Sequence, residues 1–388
     1  MNGSAWSPRF TITPAVARGL MTIEAARAVV AETPIPPVVE AELRRRARLR
    51  STHFSTRIEG NRLTLAEAEE VIQGRRSDFH GRERDVGEVK NYWDALLRVE
   101  EWAARKQGLT EDLIQRLHAC IEKGNRARPT PYRDGQNVIR DSASGAIVYL
   151  PPEAADVPSL MAEMVAWVRQ AENDAIPVPL VAALTHYQFV TIHPYFDGNG
   201  RTARLLATFI LHRGGYGLNG LISLEEHHAR DLEGYYHALA AHPHHNYYFG
   251  RAEADLTGWL EYFIGLTARV YDLAKHEALR CVRAGILPEP EEVRRLDRRA
   301  RLVIALFGKQ DRITAADVSR VLGLSDRQVR DLIRRWVGDG WLLVADPARR
   351  SRAYQLSAEY RRSIGVLSAD DPENPAHVGQ AGSLKPDA

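Results

Sequence analysis

Residues 193 to 204 read His193-Pro194-Tyr195-Phe196-Asp197-Gly198-Asn199-Gly200-Arg201-Thr202-Ala203-Arg204. The run places a base, a carboxylate, glycines and arginines within a few turns of chain. Gly198 and Gly200 flank Asn199, which lets backbone N–H groups turn inward as an anion nest. A helix starting at Arg201 adds its positive dipole end at the same place. Arg201 and Arg204 are three apart, so both can lean to one side of the first turn. Guanidinium groups suit phosphate oxygens bidentately. Asp197 beside a polyphosphate is a natural Mg²⁺ ligand, since that ion takes a carboxylate together with phosphate oxygens. His193 can be neutral near pH 7 and accept a proton from an incoming hydroxyl. Taken singly, a histidine is more often structural and a Gly-x-Gly run more often a plain turn. The combination carries the reading.

Such a loop needs rigid elements around it. The preceding segment, Leu180-Val181-Ala182-Ala183-Leu184, is apolar nearly all round, which predicts a central buried helix over about 179–191. A helix over about 201–213 follows the loop and stops at Gly214-Gly215. Further helices are predicted over about 38–58, 155–172, 226–241 and 252–285, with a helical region from Asp85 to Gly124 broken near Gly108. Thr64 and Glu67 form a capping box. Val138-Ile139 and Ala146 to Leu150 read as a β-hairpin around the turn residues Asp141, Ser142, Ser144 and Gly145.

At 388 residues the chain is too long for one ordinary core. Five segments are expected: an N-terminal arm and helical region at 1–84, a core at 85–285, a linker at 286–296, a further domain at 297–362, and a disordered tail at 363–388 that has too little apolar content to fold. The net charge of +2 demands neither nucleic acid nor membrane globally. Cys120 and Cys281 give no disulfide framework, and a reducing cytoplasm fits. Nothing resembles a signal peptide or a membrane span, so a cytoplasmic location without membrane contact is expected.

The 193–204 loop closely resembles the Fic family signature, H-P-F-x-[D/E]-G-N-G-R-x-x-R, departing only where Tyr195 replaces the usual Phe. A buried hydroxyl there needs a partner. The resemblance implies a mainly α fold, a Fic-type helical bundle with a β-hairpin flap. It implies transfer of AMP from ATP to a Ser, Thr or Tyr hydroxyl of a protein, with release of pyrophosphate. On that basis His193 is the catalytic base and Asp197 the Mg²⁺ ligand. Gly198, Asn199, Gly200, Arg201 and Arg204 bind the phosphates. Gly200 stands where a phosphorylating branch has Lys, which favours nucleotidyl transfer. Tyr132 to Val138 is similar to the family's segment leading into the flap, and Leu232 to Tyr236 to its adenine-pocket segment, placing Tyr235 and Tyr236 at the nucleotide. Simple helix packing is the alternative for both tyrosines. The clustered His227, His228, His242, His244 and His245 match no zinc spacing and are assigned to surface and packing.

Upstream, Ser55-Thr56-Arg57-Ile58-Glu59-Gly60-Asn61 resembles the family's inhibitory motif, [S/T]-x-x-x-E-[G/N]. Ser55 and Glu59 share a helix face. The resemblance implies that Glu59 pairs with Arg204 and keeps it from the γ-phosphate. An ordinary helix end is the alternative.

Near the C-terminus, helical runs at Ile313–Leu322 and Asp326–Val337 flank the turn Gly323-Leu324-Ser325, followed by β-like runs at Trp341–Val344 and Ala353–Leu356. This resembles a winged helix-turn-helix with Arg349, Arg350 and Arg352 in its wing. Arg327, Arg330, Arg334 and Arg335 offer a phosphate-contacting face, so DNA is a candidate partner through 313–356, although Asp326 and Asp331 interleave with them. Dimerisation or protein contact is the alternative. The reading is a self-inhibited protein adenylyltransferase that also modifies itself and binds an extended protein target along the flap, 138–150. Its rivals are an AMP-removing hydrolase using the same loop and a DNA-binding regulator with a nucleotide-sensing loop. A homodimer is compatible with all three.

Overall fold

The computed structural model describes residues 6–35, 37–125, 128–140, 144–283, 293, 295–308, 310–346 and 352–363. The turn residues Asp141 and Ser142, most of the expected linker 286–296, Arg349, Arg350 and all but the first residue of the expected tail lie outside them. The chain divides into two compact units, one of residues 1–33 and 43–279, the other of 34–42 and 280–388.

The first unit is helical. In chain order it contains α1 (Pro14–Glu32), most of α2 (Pro37–Ile58), α3 (Leu65–Ile72), α4 (Glu83–Ala104) and α5 (Glu111–Lys123). The short strands β1 (Ile139–Arg140) and β2 (Ile147–Tyr149) follow as an antiparallel hairpin. Then come α6 (Val157–Asn173), α7 (Val178–Ile192), α8 (Asn199–Arg213), α9 (Leu224–Arg230), α10 (Leu232–Leu239) and α11 (Thr257–Arg283). The organising pair is α7 and α8, with α4, α5 and α6 packed around it. Almost every side chain of α7 from Pro179 to Ile192 is buried, the apolar first turns with the polar Thr185, His186, Gln188 and Thr191. Trp259 of α11 pins α7 by donating its indole N–H to Ala183 O at 2.7 Å.

Local chemistry explains the element ends. Gly60 stops α2 in the left-handed region at φ 94°. Thr64 and Glu67 cap α3 reciprocally, and these hydrogen bonds, with the Arg82 guanidinium, hold the Glu67 carboxyl down at about 2. The sequence pattern departs from the structure at 226–241, expected as one helix. Asp231 breaks it at φ −127°, ψ 60°, and its carboxylate accepts from Gly234 N at 3.1 Å to start α10 anew. The helix expected from 252 starts instead at Thr257.

In the second unit, α12 (Arg298–Ile304) precedes β3 (Ile313–Thr314), α13 (Ala315–Leu322), α14 (Asp326–Gly338), β4 (Leu342–Asp346), β5 (Ala353–Leu356) and α15 (Ala358–Ser363). The strands form an antiparallel sheet in the order β3-β5-β4. Gly323 turns the chain between α13 and α14 at φ 63°, and Ser325 and Gln328 box the start of α14. Val318, Val329, Ile333, Trp336 and Trp341 meet in its core. Among the described residues, no helix is long and apolar enough to cross a membrane.

Candidate active site

The loop between α7 and α8 is held in a conformation that few sequences tolerate. His193 ends α7 in the left-handed region at φ 52°, ψ 59°, strain that a non-glycine residue accepts only where its surroundings impose it. Arg133 imposes it. This buried guanidinium donates from Nε to His193 O at 2.9 Å and from Nη1 to Gly135 O at 2.9 Å, while its backbone N–H donates to Pro194 O at 2.9 Å. The amide of Asn199 closes the turn, accepting from Tyr195 N at 3.0 Å and donating to Tyr195 O at 2.8 Å. The Asn199 side chain is therefore consumed inside the loop. Its contribution to a phosphate cradle is then through its backbone N–H, as in the anion nest read from the flanking glycines.

Gly198 caps α8 at φ 75°, so Asn199 and Gly200 already belong to the first turn. The first intrahelical bond is from Thr202 N to Gly198 O at 2.9 Å. The N–H groups preceding it are free to face an anion. His193 Nδ1 lies 3.2 Å from Val190 O. A carbonyl only accepts, so in the neutral ring the proton sits on Nδ1 and the lone pair on Nε2. Burial lowers the His193 pKa to about 4, reinforced by the nearby Arg133 charge. The ring is a neutral acceptor throughout the physiological range.

Asp197 is the exposed carboxylate of the loop, its side chain 57% accessible. Oδ1 accepts from Gly198 N at 2.6 Å and from Arg201 at 3.2 Å, while Oδ2 faces Arg84 at 3.3 Å. A single open carboxylate at the rim of a nest fits Mg²⁺, which takes one or two carboxylates and completes its shell with water and substrate phosphates. No group of three or more His, Cys, Asp or Glu that could hold a metal unaided occurs among the described residues.

The two loop arginines are both buried but serve different partners. Arg201, expected as a phosphate ligand, is set among carboxylates: Glu122 at 3.0 Å, Asp197 at 3.2 Å and Glu88 at 3.9 Å. In this arrangement it braces Asp197 and the loop. Burial raises the Glu122 pKa, and the Arg201 charge opposes that rise. Arg204 turns toward the end of α2. It donates from Nε to Ser55 Oγ at 2.8 Å, and from Nη2 to Ser55 O at 3.0 Å and Glu59 Oε1 at 2.8 Å. Burial alone would lower the Arg204 pKa, and the Glu59 carboxylate reverses this and raises it. Glu59 lies so close to Gly200 that a Cβ there would collide with its Oε1.

The tyrosines separate. Tyr235 is buried, its hydroxyl 2.8 Å from His186 Nε2 and its ring at 4.5 Å from that of His228, so it packs behind the loop. Tyr236 is 50% exposed. Tyr195 is buried and stacked on His118 with centroids 3.6 Å apart. Its hydroxyl has no hydrogen-bond partner, contrary to the requirement read from the sequence. An unpaired buried hydroxyl costs about 1–3 kcal/mol, a cost that ring stacking offsets in part. His118 also ties α5 to the loop through Nε2 and Asp197 O, 2.9 Å apart. Sequence reasoning missed Arg84, Glu88, His118, Glu122 and Arg133 as loop supports. Only the run from Tyr132 to Val138 carried a signal, through its resemblance to the flap-leading segment.

Residues 108–211 match the Fic/DOC family, a span that contains the whole loop but not α2. Protein adenylyltransferase Fic of Drosophila grimshawi is 31% identical over 172 residues, 42% of this chain and 33% of the relative. The same-named protein of Drosophila willistoni is 28% identical over 207 residues, 51% of this chain and 39% of that protein. The chain thus spans between a third and two fifths of the length of these curated relatives. A Fic family protein from Desulfovibrio desulfuricans G20 superposes with a TM-score of 0.57 at 26% identity, covering 91% of this chain and 99% of that one. Fic-1 of C. elegans has the same fold, with a TM-score of 0.52 at 20% identity over 69% of this chain and 73% of that one.

Proposed function

We propose, from the premise that this chain carries a Fic/DOC family domain, that it is a self-inhibited protein adenylyltransferase. It moves AMP from ATP to a Ser, Thr or Tyr hydroxyl of a protein and releases pyrophosphate. The reading is carried by one juxtaposition: His193, with Nε2 left unprotonated, opens the loop that leads into the first turn of α8, and that turn is bounded at Gly200 by Glu59 and its partner Arg204. His193 takes the proton of the incoming hydroxyl as its oxygen attacks the α-phosphorus. The bond from the α-phosphorus to the bridging oxygen of the β-phosphate breaks, and pyrophosphate leaves. The N–H groups of Asn199, Gly200 and Arg201, with the α8 dipole, bear the growing phosphate charge. Asp197 would hold Mg²⁺, which when bound neutralises phosphate oxygens.

Self-inhibition rests on Arg204, whose guanidinium is spent on Glu59 and Ser55. The Glu59 carboxylate beside Gly200 also repels a triphosphate. ATP therefore binds without the in-line geometry that attack requires. Incubation with α-labelled ATP and Mg²⁺ tests both parts. Wild type should label itself weakly, and Glu59→Gly should label about tenfold more, a change of about 1.4 kcal/mol that removing one partner of a half-buried ion pair readily supplies. A folded Glu59→Gly protein that labels no faster than wild type would return Glu59 to an ordinary helix end. Removal of AMP by water is the second reading. It is favoured by the partial exposure of Glu59, whose side chain is 30% accessible and able to position a water. It predicts that Glu59→Gly abolishes release of AMP from a modified target.

For the second unit, the α13–turn–α14 pair followed by β4 and β5 supports a winged-helix reading. Arg327, Arg330, Arg334 and Arg335 are exposed along α14, which supports DNA as a partner, and Arg334 is partly offset by Asp331 at 3.4 Å. A salt-dependent duplex shift that Arg327→Ala and Arg330→Ala weaken is the result expected of a DNA-binding face.

A further inference from the structure

The network behind Asp197 reaches the same stretch of chain that occupies Arg204. Arg84, in the first turn of α4, is 76% exposed, yet two of its guanidinium nitrogens are taken. Nε donates to Glu88 Oε1 at 2.9 Å, and Nη2 reaches Asp197 Oδ2 at 3.3 Å. Glu88 is itself anchored, its side chain only 13% exposed. Its Oε2 accepts from Asn61 Nδ2 at 2.9 Å, and the same amide donates to Asp85 O at 3.0 Å. Asn61 immediately follows Glu59 and Gly60. Asp197 Oδ1 is already engaged by Gly198 and Arg201, so Oδ2 is the oxygen left for a cation, and Arg84 is the cation that faces it.

We propose that Arg84 is a positioning residue that holds Asp197 in a metal-excluding pair, and that Asn61, through Glu88, ties this pair to the end of α2. This rests on the reading of Asp197 as a Mg²⁺ ligand. The end of α2 then restrains the loop at two points. Glu59 withholds Arg204 from the phosphates, and the Asn61–Glu88–Arg84 chain withholds Asp197 from the metal. A divalent ion arriving with nucleotide competes with Arg84 for the lone pairs of Oδ2. Arg84, still tethered by Glu88, swings aside into solvent, where its exposed side chain has room. The competition is modest in size, because an exposed ion pair is worth little on its own. It is effective because Glu88 and Asn61 keep the guanidinium at the carboxylate and reduce the entropy lost in pairing.

The test is Mn²⁺ binding to the full chain, read by electron paramagnetic resonance in the presence of saturating α,β-methylene-ATP and in the Glu59→Gly background. No turnover is involved. Arg84→Ala should tighten Mn²⁺ binding about two- to fivefold, the range that an exposed ion pair spans. Arg84→Lys, which keeps the charge, should stay near the parent. Asp197→Ala should weaken Mn²⁺ binding. If Asp197→Ala weakens binding while Arg84→Ala leaves it unchanged or weakens it too, the latch is wrong and the metal-ligand reading stands. If Asp197→Ala has no effect, both fall together.

Discussion

Arg201 and Arg204 lie one turn apart on α8 and are equally buried, each with a side chain 2% exposed, but they answer to different parts of the molecule. The partners of Arg201 are Glu88 on α4, Glu122 on α5 and Asp197 in the loop itself, all on elements packed against α8. Arg204 has one carboxylate partner, Glu59, which is 30% exposed and stands just past the end of α2. A buried arginine among several scaffold carboxylates is part of the structure, since removing it strands their charges. A buried arginine with one partly wet partner can be released at small cost. Residue type and burial do not separate a structural arginine from a switchable one. The number and exposure of the partners do.

The largest effect is expected where the two arginines' territories meet. In the Glu59→Gly background, His193→Ala should lower labelling about 10²- to 10⁴-fold, the contribution of a positioned base. Its thermal unfolding should be nearly unchanged. Retention of a tenth or more of the transfer would remove His193 from the reaction and make the comparison one between two structural arginines.

The next effect separates the arginines themselves. Arg201→Ala should cost about 3–5 kcal/mol of stability, because Glu122 and Glu88, 22% and 13% exposed, lose a counter-charge in a poorly solvated place. Arg204→Ala should cost less than half of that, since water can reach Glu59, while transfer is still lost with the phosphate contact. Urea midpoints of the two variants decide this. Equal midpoints would erase the distinction.

The smallest effect concerns pH. With the His193 pKa lowered to about 4, the ring stays neutral as pH falls through its usual value near 6.5. The acid limb of labelling by Glu59→Gly should therefore fall near pH 4–5 rather than near 6.5. The same depression has a stability consequence. Between about pH 6.5 and 4 the unfolded chain binds a proton at this site that the folded protein refuses, so the folded state loses stability as pH falls across that window. An acid limb centred near 6.5 would mean that the ring is more open to water than its half-buried position on α7 indicates.

Much of this was legible in residue order because the chemistry is local. The 193–204 run places base, carboxylate, glycines and arginines within reach of one another whatever surrounds them, and the Leu180–Leu184 stretch of α7 had to be buried because it is apolar nearly all round. The Asp231 break and the early start of α8 at Asn199 are matters of caps and turns, where a pattern of apolar spacing has little to say.

Other assignments belong to the fold alone. That Arg201 faces carboxylates while Arg204 faces Ser55 and Glu59 depends on which helices pack on either side of α8, and nothing in the twelve-residue run distinguishes them. That Tyr235 lies behind the loop against His186, while Tyr236 reaches solvent, follows from how α10 is rotated. Arg133 and His118 support the loop from 60 and 79 residues away. Sequence alone determined which groups could do chemistry, because their types and spacing are covalent facts. Tertiary structure decided which of those groups are free to do it, because burial and the nearest opposite charge are properties of neighbours that the chain brings together only when folded.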